Sequence, residues 1–169
     1  LSRTKIVKYL NNCDGSLIPP MVTNRQYDIV LGTKESYTNL KTELNFRNFI
    51  LVNHGKIELI LISPKYKDVI NTTFDNDNFI EYTTMTPFNS NNKNVFENIE
   101  FKRVMLNTGN MMYIPVHWYY SIKILTDDTV VCGFKYNTII SNICSIPKHM
   151  LKYLEIMNTK YLIKTKNSK

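Results

Sequence analysis

A succession of short apolar runs separated by polar turn residues is the feature that most constrains the fold of this chain. The runs are rich in β-branched and aromatic residues, have the length of strands, and do not alternate with helices as in a parallel sheet. Many short strands without βαβ units predict a mainly β protein, either a sandwich or a barrel. The predicted strands are Tyr27–Leu31, Tyr37–Leu44, Arg47–Val52, Lys56–Ile62, Phe79–Tyr82, Phe96–Leu106, Met111–Ile114, Trp118–Leu125 and Thr129–Tyr136.

Helical patterns are confined to the ends of the chain and to one turn between strands. Thr4–Asn11 is predicted to be a short helix, and Pro64–Ile70 a single helical turn. Pro147–Ile163 has a capping serine before it and apolar residues at helical spacing, which predicts an amphipathic helix that packs on the sheet or pairs with its copy in a dimer. These patterns divide the chain into an N-terminal helix and connector (1–26), a barrel (27–136) and a C-terminal helix with a basic tail (137–169).

Composition narrows the classes of function. The net charge of +7 comes mainly from lysines near the C-terminus, and no nucleic-acid-binding motif accompanies them, so a nucleic-acid partner is not expected. No apolar run reaches the length of a membrane span. Three widely spaced cysteines without a CxxC motif argue against a disulfide framework and a zinc site, and indicate a reducing, intracellular compartment. The abundance of Asn, Lys, Ile and Tyr indicates an AT-rich coding genome.

Three segments resemble one known family in order and spacing, from about Tyr27 to Tyr136. They are "YDIVLGTKESYTNLKTELNFRNFILVNHGKIELILISP", "GNMMYIPVHWYYSIKI" and "TVVCGFKYN", of which the Gly-x-x-x-Tyr-Ile-Pro-x-x-Trp-Tyr part is the most specific. The pattern is similar to that of the JmjC/cupin-like hydroxylases. The resemblance implies a double-stranded β-helix, which is a jelly-roll or cupin barrel. Active members bind Fe(II) through two histidines and a carboxylate, together with 2-oxoglutarate.

The resemblance places Lys41 at the first histidine position, Glu43 at the carboxylate position and Tyr120 at the second histidine position. An ammonium group only donates hydrogen bonds and cannot bind a metal while it is charged. We therefore expect these positions to be a vestigial metal site in which Lys41 pairs with Glu43 and the Tyr120 hydroxyl is a third partner. An uncompensated buried carboxylate would otherwise be costly.

The other residues that the resemblance implicates also depart from the active pattern. Thr38 matches a residue that commonly contacts the co-substrate, whereas Ile57 replaces the anchoring lysine and Lys56 faces the other side of the strand. Gly133 stands at a position that often holds asparagine. These three positions would form a vestigial co-substrate pocket.

The remaining histidines, His54, His117 and His149, are not expected to supply replacement metal ligands.

The sequence therefore predicts a catalytically inactive JmjC/cupin-like domain without a cofactor. Its role would be structural or in protein binding, through the barrel surface, the Asn-rich loop or self-association of the C-terminal helix. The AT-rich coding composition fits a protein of a large DNA virus, including a component of the virus particle. The alternatives are an active Fe(II)/2-oxoglutarate hydroxylase with atypical ligands and, less favoured, a basic nucleic-acid-associated module.

Overall fold

The structure, a computed structural model, describes residues 14–75 and 80–144. The predicted helices Thr4–Asn11 and Pro147–Ile163, and with them His149, lie outside these ranges. The ten strands are β1 (Val22–Gly32), β2 (Lys41–Glu43), β3 (Arg47–His54), β4 (Lys56–Ile62), β5 (Thr73–Asp75), β6 (Ile80–Tyr82), β7 (Phe101–Asn107), β8 (Met111–Ile114), β9 (Tyr119–Ile124) and β10 (Thr129–Thr138). Short 3-10 turns at Pro64–Tyr66 and Ser90–Asn92 and a four-residue α-helix, Lys93–Phe96, connect them.

The strands form two antiparallel sheets. One has the order β1-β10-β3-β8 and the other the order β5-β6-β2-β9-β4-β7. Most neighbours within a sheet are not consecutive in the chain, because the chain passes repeatedly from one sheet to the other. This arrangement is a jelly roll, so the predicted mainly β, jelly-roll class is confirmed.

The main core lies between the sheets and follows from alternation along the strands. In β3, Ile50 and Val52 point inward, and in β4, Ile57, Leu59 and Leu61 face them. Together with apolar side chains of β7 to β10 they form one cluster of buried residues. The segment 109–124, which carries the most specific part of the family pattern, helps to build this core. It supplies four buried members of the cluster and two side chains that pack against it, namely Ile114, Tyr120, Ile122, Ile124, Met112 and Trp118.

Both outer faces of the jelly roll are also covered. Outside the six-stranded sheet, Ile60, Ile62 and Tyr119 pack under the connection that carries Ile70 and Phe96. Residues before β1 cover the outer face of the four-stranded sheet, where Cys132, Phe134 and Tyr136 are buried. Strand β4 is therefore apolar on both faces along most of its length, which explains why its sequence is almost continuously hydrophobic.

A buried carboxylate ties the N-terminal connector to this outer face. Asp14 is fully buried, and its Oδ2 atom accepts hydrogen bonds from the hydroxyls of Tyr27 (2.5 Å) and Tyr136 (3.0 Å). Burial, together with the hydrogen bond to Asp14 and its charge, raises the pKa of Tyr27 to about 12. Both phenols therefore remain proton donors at neutral pH.

Several predicted element bounds differ from the structure. β1 begins at Val22, five residues before the predicted start, and the predicted strand Tyr37–Leu44 is reduced to β2 and one isolated bridge at Tyr37. The predicted strand Phe96–Leu106 begins only at Phe101, after the short helix, and β5 was not predicted. The first and last strands extend beyond the predicted barrel limits of 27 and 136, whereas the division into three segments stays a prediction.

Residues 139–144, after β10, are helical and carry three exposed isoleucines. Within residues 14–75 and 80–144, no helix has the length and apolar character required to cross a membrane.

Candidate functional site

Glu43 is the centre of a charged cluster between the two sheets. It ends β2, and Lys41 begins the same strand, so alternation places both side chains on one face. Tyr120 lies directly opposite Lys41 on β9. Strand β2 has only three residues, but it pairs with both β6 and β9. This pairing holds Glu43 in the interior, with only 1% of its side chain exposed.

Each oxygen of the Glu43 carboxylate contacts one ammonium group and accepts one hydrogen bond from a neutral donor. The Lys41 ammonium lies 3.1 Å from Oε1, and the Tyr120 hydroxyl donates to the same oxygen. The Lys135 ammonium lies 2.6 Å from Oε2, and the Asn45 amide donates to that oxygen over 3.2 Å. A carboxylate has about four lone-pair sites, so these four donors saturate it.

Lys135 connects Glu43 to a second carboxylate. Its side chain is only 6% exposed and also forms an ion pair with Asp28, whose side chain is 45% exposed. The cluster thus contains two ammonium and two carboxylate groups and has no net charge. We refer to Lys41, Glu43, Tyr120, Lys135 and Asp28 as the Glu43 network.

The pKa shifts of Glu43, Lys135 and Tyr120 favour an ionised carboxylate, a charged ammonium group and a neutral phenol. Burial alone would raise the pKa of Glu43, but the charges of Lys41 and Lys135 and the hydrogen bonds from Lys135 and Tyr120 outweigh it and lower that pKa. For Lys135, burial would lower the pKa, yet Glu43 and Asp28 raise it. Burial and the charge of Glu43 raise the pKa of Tyr120 well above its ordinary value, so its hydroxyl is a neutral proton donor.

Lys41 is also held by the ring of Tyr120. Its ammonium lies 5.3 Å from the ring centroid, within the range of a cation–π contact. A quarter of the Lys41 side chain is exposed, whereas Lys135 is almost fully enclosed. Lys41 is therefore the solvent-side lysine of the network and Lys135 the interior one.

The predicted co-substrate positions do not form one polar site. The Thr38 hydroxyl accepts a hydrogen bond from the Ile122 backbone N–H (2.9 Å). Ile57 is fully buried in the main core opposite Ile124. Gly133 lies opposite Asp28, and a Cβ atom there would approach the Asp28 Cβ to 3.3 Å. The assignment of these positions to a former co-substrate pocket stays a prediction.

The residues present do not fit the Fe(II) that the family resemblance implies. All four acceptor sites of Glu43 are occupied, and the two residues at the histidine positions supply hydrogen-bond donors rather than ligands. His54 ends β3 on the surface, and His117 is exposed in the turn before β9, with a φ of 65°. Within residues 14–75 and 80–144, no group of three or more His, Cys, Asp or Glu residues has an arrangement that could hold a metal ion.

Lys135, Asp28 and Asn45 were not identified from the sequence. The available signal was alternation: Lys135 is two residues after Gly133 on β10, so both must face the interior. Asp28 could not be found in this way, because its position opposite Gly133 depends on the register of strands that are about a hundred residues apart.

Comparison with known proteins gives similarity of fold only. No family model matches the chain, and no curated protein sequence matches it. Solved structures similar to it include RmlC from Streptococcus suis in complex with dTDP-D-xylose (12% identity, TM-score 0.42, 68% of this chain and 44% of that one). They also include peruvianin-I, a cysteine peptidase from Thevetia peruviana latex, with 11% identity and a TM-score of 0.42 over 68% of this chain and 50% of that one. A third is the Drosophila melanogaster CENP-C cupin domain, with 12% identity and a TM-score of 0.41 over 66% of this chain and 59% of that one. This chain therefore matches about half of the length of these structures.

Proposed function

We propose that this protein is a catalytically inactive JmjC/cupin-like domain in which an internal ion-pair network has replaced the metal site. The observation that carries the proposal is the saturation of the Glu43 carboxylate by four donors. With both oxygens engaged and two ammonium groups within contact distance, a divalent cation would have to displace donors and overcome charge repulsion.

The arrangement of the donors supports the link to the family. Lys41 and Tyr120, which occupy the two histidine positions of the family pattern, both contact the same atom, Oε1 of Glu43, through an ion pair and a hydrogen bond. Two histidines and a carboxylate that share a metal ion would likewise converge on one point. A positive charge and a hydroxyl proton at that point offer the carboxylate a compensation that a metal ion would otherwise provide.

The proposed role is structural or in protein binding. Support comes from residues 139–144, which are helical and expose Ile139, Ile140 and Ile143 by 42%, 63% and 58%. Exposed apolar side chains on one short segment are typical of a surface that contacts another protein or a second copy. A place in the particle of a large DNA virus is part of this proposal and rests on the coding composition alone.

Thermal unfolding with and without Mn(II) and 2-oxoglutarate tests the proposal. A ligand present at about 100 times its Kd stabilises a native protein by about 2.7 kcal/mol. We expect no such stabilisation for the wild-type protein at millimolar concentrations of both ligands. A shift in Tm that requires both ligands and disappears in Glu43→Gln would instead support an active hydroxylase. Salt-dependent binding to a random DNA duplex would favour the nucleic-acid alternative.

A further inference from the structure

A cavity of about 250 Å³ lies beside the Glu43 network but shares no lining residue with it. It is formed where the end of β4 meets the beginnings of β7 and β9. Leu61 faces Lys102 on β7 and Tyr120 on β9, and Trp118 precedes β9 by one residue. The lining includes the apolar side chains of Leu61, Phe101 and Trp118.

The charged lining of this cavity is unbalanced. It contains Lys65, Lys102 and Glu100, which together carry one positive charge. Lys65 forms an ion pair with Glu100 over 2.9 Å, and both side chains are mostly exposed, at 58% and 83%. The Lys102 side chain makes no ion pair or hydrogen bond with residues 14–75 and 80–144, although its backbone pairs with Leu61 in the sheet. One ammonium group at the cavity is therefore available to an anion.

We propose that this cavity binds a small anionic ring compound, with its ring against Trp118 and its carboxylate or phosphate group at Lys102. An aromatic wall and one unpaired cation are the two features that such a compound needs, since the ring loses contact with water and the anion gains a charge partner. The volume limits the ligand to a small molecule. This proposal goes beyond the proposed function and does not depend on the loss of the metal site.

Glu100 is the internal competitor of such a ligand. Its ion pair with Lys65 is exposed, and exposed pairs contribute little free energy, so an incoming anion can take Lys65 from it at small cost. Removing the charge of Glu100 should therefore tighten binding, whereas removing the charge of Lys102 should weaken it. The same charge changes at exposed positions outside the cavity should have no effect, and that contrast distinguishes this site from a nonspecific basic surface.

Trp118 is the sole tryptophan of the chain, so a change in tryptophan fluorescence can be assigned to the residue that lines this cavity. The probes are benzoate and phenyl phosphate, with benzyl alcohol as the neutral ring and inorganic phosphate as the anion without a ring. We expect a saturable change in Trp118 fluorescence at millimolar benzoate or phenyl phosphate, and at least tenfold weaker responses to the other two compounds. Whichever of benzoate and phenyl phosphate binds more tightly shows whether the site prefers a carboxylate or a phosphate group.

Variants then locate the anion. Lys102→Gln should weaken binding by about fivefold and Glu100→Gln should tighten it by about twofold. The matched controls, Lys34→Gln and Glu97→Gln, change the net charge equally at exposed positions outside the cavity and should leave the affinity unchanged. The proposal is overturned if neither ring anion gives a saturable response in the wild-type protein, or if the controls change the affinity as much as the cavity variants do.

Discussion

Glu43→Gln removes the negative charge at the centre of the interior network while it keeps the size of the side chain. In the wild-type protein this carboxylate is 1% exposed and accepts four donors, of which two are ammonium groups. The substitution leaves Lys135, itself 6% exposed, with Asp28 as its remaining partner. It also converts one acceptor atom into an NH₂ group that faces donors.

The expected loss of stability follows from these contacts. Removing one partner of a buried ion pair destabilises a protein by about 3–5 kcal/mol. Lys135 keeps Asp28, and the quarter-exposed Lys41 can turn toward solvent, so the lower end of that range applies. We therefore expect a decrease of about 3 kcal/mol in the free energy of unfolding, or about 6–12 °C in Tm for a chain of this length.

Urea and thermal unfolding followed by circular dichroism measure this loss. The matched control is Glu58→Gln, which breaks the ion pair of Glu58 with the half-exposed Arg103 and should cost less than about 1 kcal/mol. The double variant Glu43→Gln/Lys135→Met should lose less than the sum of the two single variants, because it removes the uncompensated ammonium as well. A loss for Glu43→Gln no larger than that of the control would refute the reasoning.

Further predictions concern pH and backbone conformation. The folded-state pKa of Glu43 is below its ordinary value of 4.5, so its contribution to stability is complete above that pH and is lost as the pH falls through the lowered pKa. The difference in stability between wild type and Glu43→Gln should therefore shrink as the pH falls from about 5 through the lowered pKa of Glu43, and a constant difference in urea midpoints would contradict this. Gly55 and Gly109 both have a φ of 85°, but a Cβ at Gly55 would lie 2.3 Å from the Thr129 Oγ1, whereas nothing lies within 4 Å at Gly109. Gly109→Ala should therefore lower the free energy of unfolding by about 1 kcal/mol, and Gly55→Ala should lower it clearly more. Gly15→Ala should be neutral, because that position has open space and no positive φ. Equal losses of stability at Gly55 and Gly109 would show that the clash with Thr129 is relieved without cost.

Strands with strong alternation were predictable from the sequence. Arg47–Val52 and Lys56–Ile62 were placed within two residues of their observed ends, because one face of each is buried in the main core and a glycine with positive φ separates them. The first five residues of β1 were missed because they are largely exposed. Their pairing with β10 depends on backbone hydrogen bonds and leaves no apolar pattern.

The strand predicted at Tyr37–Leu44 shows how side chains can interrupt a ladder. The Thr38 hydroxyl accepts the Ile122 backbone N–H, and two residues later the Leu40 N–H bonds to the Met85 carbonyl instead of to β9. A polar side chain thus replaces a backbone acceptor, and the chain changes partners. Alternation within the sequence does not report such a change.

The candidate site was predictable only in part. Lys41 and Glu43 share a face because they are two residues apart on a strand, and the family resemblance brought Tyr120 to them. Lys135 and Asp28 reach the same carboxylate through cross-strand register, which is a property of the assembled sheets. The sequence therefore indicated a compensated carboxylate but not the second ammonium that saturates it.

Metal binding by the variant Lys41→His/Tyr120→His tests the central claim most directly. The two substitutions remove both partners from Oε1 of Glu43 and create the two-histidine, one-carboxylate set that the resemblance implies, while Lys135 and Asn45 remain on Oε2. Titration with Co(II), followed by its visible absorption bands, should show one bound ion in the folded variant, none in the wild type, and none when Glu43→Gln is added. Binding of Co(II) by the wild type that depends on Glu43, or its absence from the folded double variant, would contradict the account.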